Sequence, residues 1–350
     1  MSTGSENSTI ARTITADGGD GGDASHLSPG RRRVVQVARL MQRDGVAALT
    51  ALFALTVLGS LLWPSFHSLD NARNTLLGNS YLGIVAIGMT LVIISGGIDL
   101  SVGSVFALGG VVGVYSYNHG GVLLAIAMTI IVCGAVGLLN GILVGYAGLA
   151  PFIVTLATLF GVRGLVYQLT NAGATTYSVP SGSTFAWLGA GTWLTFGLPV
   201  FIAIGLYAVF HTTLERTPYG LVVQSIGGSE SAATLMGLRV RGVKVSTYVI
   251  SGVLAGIAGM LQAAQLVSAS PIIATGYELQ AIAAVVIGGT LLTGGSGSLV
   301  GTAAGVVLLG VINSFIVELQ LDSTWNNVVS GGFLIVVVVL QRVLNHRLVT

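Results

Sequence analysis

The sequence predicts an all-α polytopic membrane protein of about ten transmembrane helices, some of them broken. Three observations carry that prediction. Hydrophobic residues make up 53% of the 350 positions and charged residues only 7%, where soluble domains carry about 25% charged residues. The apolar runs are continuous rather than alternating, which selects helices over a barrel. The 51 glycines and 7 prolines suit close helix packing and interrupted helices.

Residues 1–30 are rich in Gly, Ser, Thr and Asp (ADGGDGGDAS) and too poor in bulky hydrophobes to bury a core. With the arginines that follow, they form a disordered N-terminal tail over 1–45. The first apolar run, from about Val46 to Trp63, lies too late for a signal peptide. It also ends in LLWPSF instead of a small-residue cleavage site, so it reads as a retained span. Further runs at about 80–95, 101–117, 121–146, 151–170, 194–210, 245–266, 279–292, 297–317 and 326–343 complete a transmembrane domain over 46–343. A tail of 344–350 follows. The runs 80–95 and 279–292 fall short of the ~20 residues of a perpendicular span. Short, glycine-interrupted segments are expected where transporter helices break.

Orientation follows from the basic residues. With alternating spans and a cytoplasmic amino terminus, Arg12, Arg31, Arg32, Arg33, Arg39, Arg43, Arg216, Arg239, Arg241, Lys244, Arg342 and Arg347 fall inside. Only Arg73 falls outside, and Arg163 lies within a span. That asymmetry predicts both termini in the cytoplasm. Small residues recur at four-residue spacing at Gly137, Gly141 and Gly145, at Gly252 and Gly256, and at Gly297, Gly301 and Gly305. Such faces predict close packing of helices within the chain. A weak internal echo aligns IISGGIDLSVGS (93–104) with LLTGGSGSLVGT (291–302).

Within GMTLVIISGGIDLSVGSVFALGG (88–110), the segment SGGIDLS puts Asp99 inside otherwise membrane-like sequence. A carboxylate at that depth is a candidate functional residue, and irregular backbone there needs polar surroundings. The expected topology puts Gly96, Gly97, Asp99 and Ser101 at a helix break or gate near the cytoplasmic side. There the carboxylate can accept hydrogen bonds from the N–H groups of the helix that starts near Ser101. The alternative is an ion-coupled carrier with Asp99 as its coupling carboxylate.

The loop 211–246 is the longest interior segment, with SIGGSESAATLMGL (225–238) at its centre. Ser229 can cap a short helix running through Leu235, and Gly237 can end it. A short cytoplasmic helix between two spans suits docking of another protein, and an amphipathic connector is the plainer reading. Cys133 is the single cysteine, which excludes a disulfide framework, and its place within an apolar run points to packing. The histidines at 26, 67, 119, 211 and 346 lack metal-ligand spacing, so no metal site is expected. The single lysine, Lys244, has no glycine-rich loop before it, so the chain carries no P-loop. With no nucleophile–base pair either, no chemistry of its own is expected.

GMTLVIISGGIDLSVGSV, NGILVGY (140–146), APFIVTLATLFGVRGL (150–165), the 225–238 loop and TGYELQAIAAVVIGGTLLTGGSGS (275–298) occur in one order. From about residue 70 to 343 the chain resembles the permease subunit of bacterial ABC sugar importers of the ribose/xylose/galactose type. The resemblance implies the ABC importer permease fold in a bacterial cytoplasmic (inner) membrane. It implies a dimer with a second copy or a related permease chain among membrane lipids. It further implies a separate ATPase, which binds ATP and magnesium, and a periplasmic or lipid-anchored sugar-binding protein. This chain would bind no cofactor and no nucleic acid. Gly228, Ser229, Glu230, Ala233 and Gly237 would then form the ATPase-coupling segment, with Glu230 facing basic residues of the ATPase or simply solvent. SYLGIVAIGMT and SESAATLMG are similar to galactofuranose-type members. The chain departs from the family's GYELDAIAAVV by carrying Gln280 at the acidic position, while Glu278 remains near the outer end of its span.

Sugar contacts need hydrogen-bonding side chains in the membrane domain. Asn140, Thr155, Thr158, Gln168 and Asn313 are the substrate-path candidates, each of which could instead satisfy a neighbouring helix backbone. The outer loop 171–193 is free of charge, and its Tyr177, Trp187 and Trp193 read as interfacial anchors.

Overall fold

A computed structural model describes residues 45–322 and, beyond them, residues 325, 328, 329, 331, 332 and 335. Residues 1–44 of the tail expected over 1–45, the tail expected over 344–350 and most of the run 326–343 lie outside the described residues. The chain runs through α1 (Val46–Leu62), α2 (Leu69–Ile94), α3 (Val102–Gly145), α4 (Pro151–Leu169), α5 (Thr184–Ala190) and α6 (Leu198–Arg216). It continues through α7 (Pro218–Gly228), α8 (Glu230–Leu235), α9 (Val240–Gln265), α10 (Tyr277–Ile287) and α11 (Leu299–Glu318). Helix α3 is two helices joined at Gly120–Gly121, where Gly121 takes φ 77°. That break separates the runs read as 101–117 and 121–146.

Among the described residues, six helices are long and apolar enough to cross a membrane: α2, α3, α4, α6, α9 and α11. Helices α1 and α10 are apolar but shorter. The run expected at 80–95 is not a short segment but the second part of the 26-residue α2. Its first turns carry Asp70, Asn71, Arg73, Asn74 and Asn79, which hide the helix from an apolar reading. Ser68 caps α2 by accepting from the Asn71 N–H at 3.1 Å. Helix α10, by contrast, has only 11 residues, about half of what a bilayer requires.

Helices α2, α9 and α11 fill the centre with the first half of α3, whereas α4, α6 and the second half of α3 bury only a minor part of their apolar windows. Ile131, Ile153, Phe160 and Ile204 face outward from this peripheral layer, as do Phe53 and Leu61 of α1. Apolar side chains facing outward as well as inward suit a membrane environment. The small-residue faces hold the layers together as expected. Gly137 packs on the Tyr248–Val249 backbone, Gly141 on Val245, and Gly252 on Cys133 and Gly137, so the second half of α3 and α9 meet backbone to backbone. Further along the same small-residue face of α9, Gly109 packs against Gly256 and Gly110 against Gly259.

At one end, Tyr177–Ser178 (β1) pairs antiparallel with Ser268–Ala269 (β4), and Thr192–Trp193 (β2) pairs with Phe196–Gly197 (β3). The stretch expected as a loop over 171–193 therefore contains β1, α5 and β2, and Gly189 of α5 packs on the backbone of Leu261–Gln265. Trp187 and Trp193 are exposed there. The opposite end carries α7, α8 and the start of α9.

Candidate functional site

The break after α2 surrounds Asp99, which is 1% exposed. A buried carboxylate is costly unless its oxygens are hydrogen-bonded. Oδ1 accepts from the Ser101 N–H at 3.0 Å and from Ser101 Oγ at 2.6 Å. Oδ2 accepts from Ser251 Oγ on α9 at 2.8 Å. The bonds continue outward in one direction. Asn140 Nδ2 donates to Ser101 Oγ at 2.9 Å, and Thr158 Oγ donates to Asn140 Oδ1 at 2.6 Å. Thr158 to Asn140 to Ser101 to Asp99 is thus a directed chain that ends on an acceptor-only group.

Two of the expected substrate-path residues, Asn140 and Thr158, are therefore joined to two of the expected break residues, Asp99 and Ser101. Thr155 adjoins them, with Oγ donating to the carbonyl of Ile98 at 3.2 Å and of Pro151 at 2.9 Å. Ser251 was not singled out from the sequence, nor was Tyr248, whose hydroxyl reaches the Ile98 carbonyl at 3.5 Å. Ser251 lies near the middle of the 26-residue α9, so Asp99 sits deeper than the cytoplasmic edge expected for it. The reason is that the chain turns at Gly96–Gly97 and climbs again before α3 begins at Val102. Asp99 meets the Ser101 N–H alone rather than a set of N–H groups of the helix.

Below this chain, three glycine pairs meet. Gly96 (φ 81°) and Gly294 (φ 85°) both take left-handed backbone. A Cβ added at Gly294 would lie 2.9 Å from Gly96 Cα and 3.1 Å from Gly227 Cα, and one at Gly295 would lie 2.9 Å from Gly228 Cα. A Cβ at Gly227 would run into the carbonyl oxygen of Ile94. The Gly295 N–H donates to that same carbonyl at 2.9 Å. The two echoed segments are thus chain reversals whose glycine pairs touch, and the pair that ends α7 is wedged against both.

From that wedge the chain enters α8. Ser229 caps it by accepting from the Ala232 N–H at 3.3 Å, and Gly237 ends the segment at φ 76°. Ala233 is buried against Ile226 and Val240, which holds the short helix on the body of the protein. Glu230 pairs within the chain, its Oε2 2.6 Å from Lys244 Nζ. Gly228 has nothing within 4 Å of an added Cβ, so Gly227 is the member of this pair that packing makes intolerant. Leu235 and Met236 are 89% and 76% exposed.

The opposite end of α2 lines a cavity of about 510 Å³ with α10 and α11. Asn71, Asn74, Asn79, Tyr277, Gln280 and Asn313 contribute to its wall. Asn313 is thus the substrate-path candidate that faces open space here, and Gln280 shares the cavity. Gln168 lies apart, exposed near the end of α4. Glu278 is not at the outer rim as expected. It is half-buried, its carboxylate hydrogen-bonded to the backbone of Gly276 and Glu278, while Oε2 lies against Gly103 and has no hydrogen-bond partner among the described residues. The chain folds inward before α10, and Arg163 holds that inward loop by donating to the carbonyls of Pro271 at 2.7 Å and Ile273 at 3.1 Å. An arginine within a span is itself a sequence signal for such a role.

The chain matches the family described as branched-chain amino acid transport system / permease component over residues 71–338. It is 36% identical over 313 residues to the ribose import permease protein of Escherichia coli K12, covering 89% of this chain and 97% of that protein. It is 33% identical over 308 residues to the fructose import permease protein of Bifidobacterium longum, covering 85% and 90%. It is 33% identical over 318 residues to the L-arabinose ABC transporter permease protein of Azospirillum brasilense, covering 90% and 92%.

Proposed function

We propose, for a chain that belongs to the branched-chain amino acid transport system / permease component family, the role of membrane subunit in an ATP-driven monosaccharide importer. The relatives named for ribose, fructose and arabinose support a sugar over an amino acid. In this reading the junction end faces the cytoplasm, in keeping with Arg216, Arg239, Arg241 and Lys244, which flank the α7–α8 segment. Energy arrives from a separate ATPase chain that docks on α8 through exposed Leu235 and Met236. A binding protein delivers the sugar at the opposite end, and a second permease chain completes the path.

The observation that carries the mechanism is the contact of three glycine pairs. Displacing α8 moves Gly227–Gly228, and that pair cannot move without pushing on the Ile94 carbonyl, Gly96 and Gly294–Gly295. Backbone contacts of this kind transmit a shift because no flexible side chain absorbs it. The Asp99 hydrogen bonds then keep the break rigid, so the shift travels into α3, α4 and α9 rather than dissipating. Asn140, Thr155 and Thr158 serve this break in our reading, and Asn313 serves the substrate path. Neither the relatives nor the geometry around Asp99 supports the ion-coupled alternative.

Co-reconstitution with the partner ATPase and the sugar-binding protein tests the proposal. Uptake must require both partners and ATP. Accumulation by this chain alone, driven by an ion gradient, would overturn it.

A further inference from the structure

We propose that the cavity between α2, α10 and α11 is a binding subsite for a neutral, polyhydroxylated molecule of monosaccharide size. The proposal rests on the sugar-importer reading and adds where the sugar is held. A volume of about 510 Å³ falls within the ~300–1,000 Å³ typical of small-molecule sites. Asn71, Asn74, Asn79, Gln280 and Asn313 bring five carboxamides from three helices to the cavity wall, and none of the residues lining it is charged. Each carboxamide both donates and accepts, which matches hydroxyl groups that also do both. A zwitterionic amino acid would need a cation and an anion opposite its two charges, and a phosphate would need cations. The lining residues offer neither.

The wall is held in place before any ligand arrives. Asn79 Nδ2 donates to the Thr75 carbonyl at 2.8 Å, and Asn71 Nδ2 donates to the Phe66 carbonyl at 2.8 Å. Thr75 Oγ and Ser314 Oγ bridge α2 to α11 at 2.9 Å. Gly310 lies beneath Asn79, where an added Cβ would strike the amide. Tyr277, tilted against Phe106 with ring centroids 5.1 Å apart, adds an aromatic surface. Gly78 differs from Gly310, since nothing lies within 4 Å of its added Cβ. Gly78 lines the cavity, and a Cβ there meets no protein atom.

That difference supplies the test. The full importer, with its ATPase and binding protein, is reconstituted with ATP and assayed for uptake of labelled D-ribose, D-fructose and L-leucine. The chain is wild type, Gly78→Ala, Gly78→Leu or Gly205→Leu. Gly205, on α6, also has nothing within 4 Å of an added Cβ, and it lies outside the cavity. Wild type, Gly78→Ala and Gly205→Leu should take up sugar, and Gly78→Leu should assemble but lose uptake. Wild-type uptake by Gly78→Leu would overturn the subsite and leave the importer reading intact. Leucine uptake without sugar uptake by the wild type would overturn the importer reading itself. Should Gly78→Leu fail to assemble, Gly78→Cys can be modified with a methanethiosulfonate, because the single native cysteine, Cys133, is buried. Modification should then abolish uptake, and saturating D-ribose should slow it. Modification without effect on uptake would overturn the subsite.

Discussion

Ser251 Oγ donates to Asp99 Oδ2 at 2.8 Å, tying the break after α2 to the middle of α9 across 152 positions of sequence. With the two bonds from Ser101, it turns a buried charge into the fixed point of a chain of donors.

The identity of the side chain at this position should therefore matter through hydrogen bonding more than through charge. In Asp99→Asn, Oδ1 can still accept from Ser101, and the Ser251 hydroxyl can rotate to accept from the new amide. Asp99→Leu strands the Ser101 N–H and two hydroxyls, at ~1–3 kcal/mol for each unsatisfied buried group. Thermal unfolding of the purified variants should show Asp99→Asn near wild type and Asp99→Leu strongly destabilised or unexpressed. Equal loss in both would return the argument to charge.

Thr158→Val removes the donor to Asn140 Oδ1, and Asn140→Leu removes that acceptor together with the Nδ2 donor to Ser101 Oγ. Each should cost ~1–3 kcal/mol alone. The double variant should cost clearly less than the sum, because the two residues act in one chain. Chemical denaturation of the four proteins measures this, and strict additivity would argue against the chain.

Adjacent glycines should behave differently. Gly227→Ala drives a methyl into the Ile94 carbonyl, whereas Gly228→Ala meets nothing within 4 Å. We expect ATP-dependent uptake to be lost in the first and kept in the second, at comparable amounts of assembled protein. The opposite order would contradict the wedge.

Leu235→Asp and Met236→Asp change side chains that are 89% and 76% exposed, so the fold should be unaffected. Co-purification of the ATPase should fail for the double variant. By contrast Glu230→Gln, which removes the charge from the exposed partner of Lys244 but keeps a hydrogen-bonding side chain there, should shift stability by about 1 kcal/mol. Retention of the ATPase by Leu235→Asp/Met236→Asp would move the docking surface elsewhere.

The spans, the break at SGGIDLS and the capped helix after Ser229 were legible because they depend on local pattern: apolar runs, glycine pairs and a serine three residues before the N–H it caps. What the sequence concealed depends on distant partners. Ser251 reads as an ordinary small residue of α9 until Asp99 is seen beside it. The first turns of α2 read as a polar loop, because the asparagines that line the cavity interrupt the apolar pattern. Glu278 reads as an outer-rim residue, because nothing local reveals that the preceding loop folds inward onto Arg163. Asn140 and Thr158 were found by residue type, but their partners place them at the break and not in the cavity.

The most direct measurement of the central claim is sugar uptake into proteoliposomes holding this chain, its ATPase and its binding protein. Labelled pentoses and hexoses are offered with ATP, with a non-hydrolysable analogue and with an ion gradient alone. The account predicts accumulation of at least one sugar with ATP only, and none when either partner is omitted. Accumulation by the lone chain under an ion gradient would contradict it.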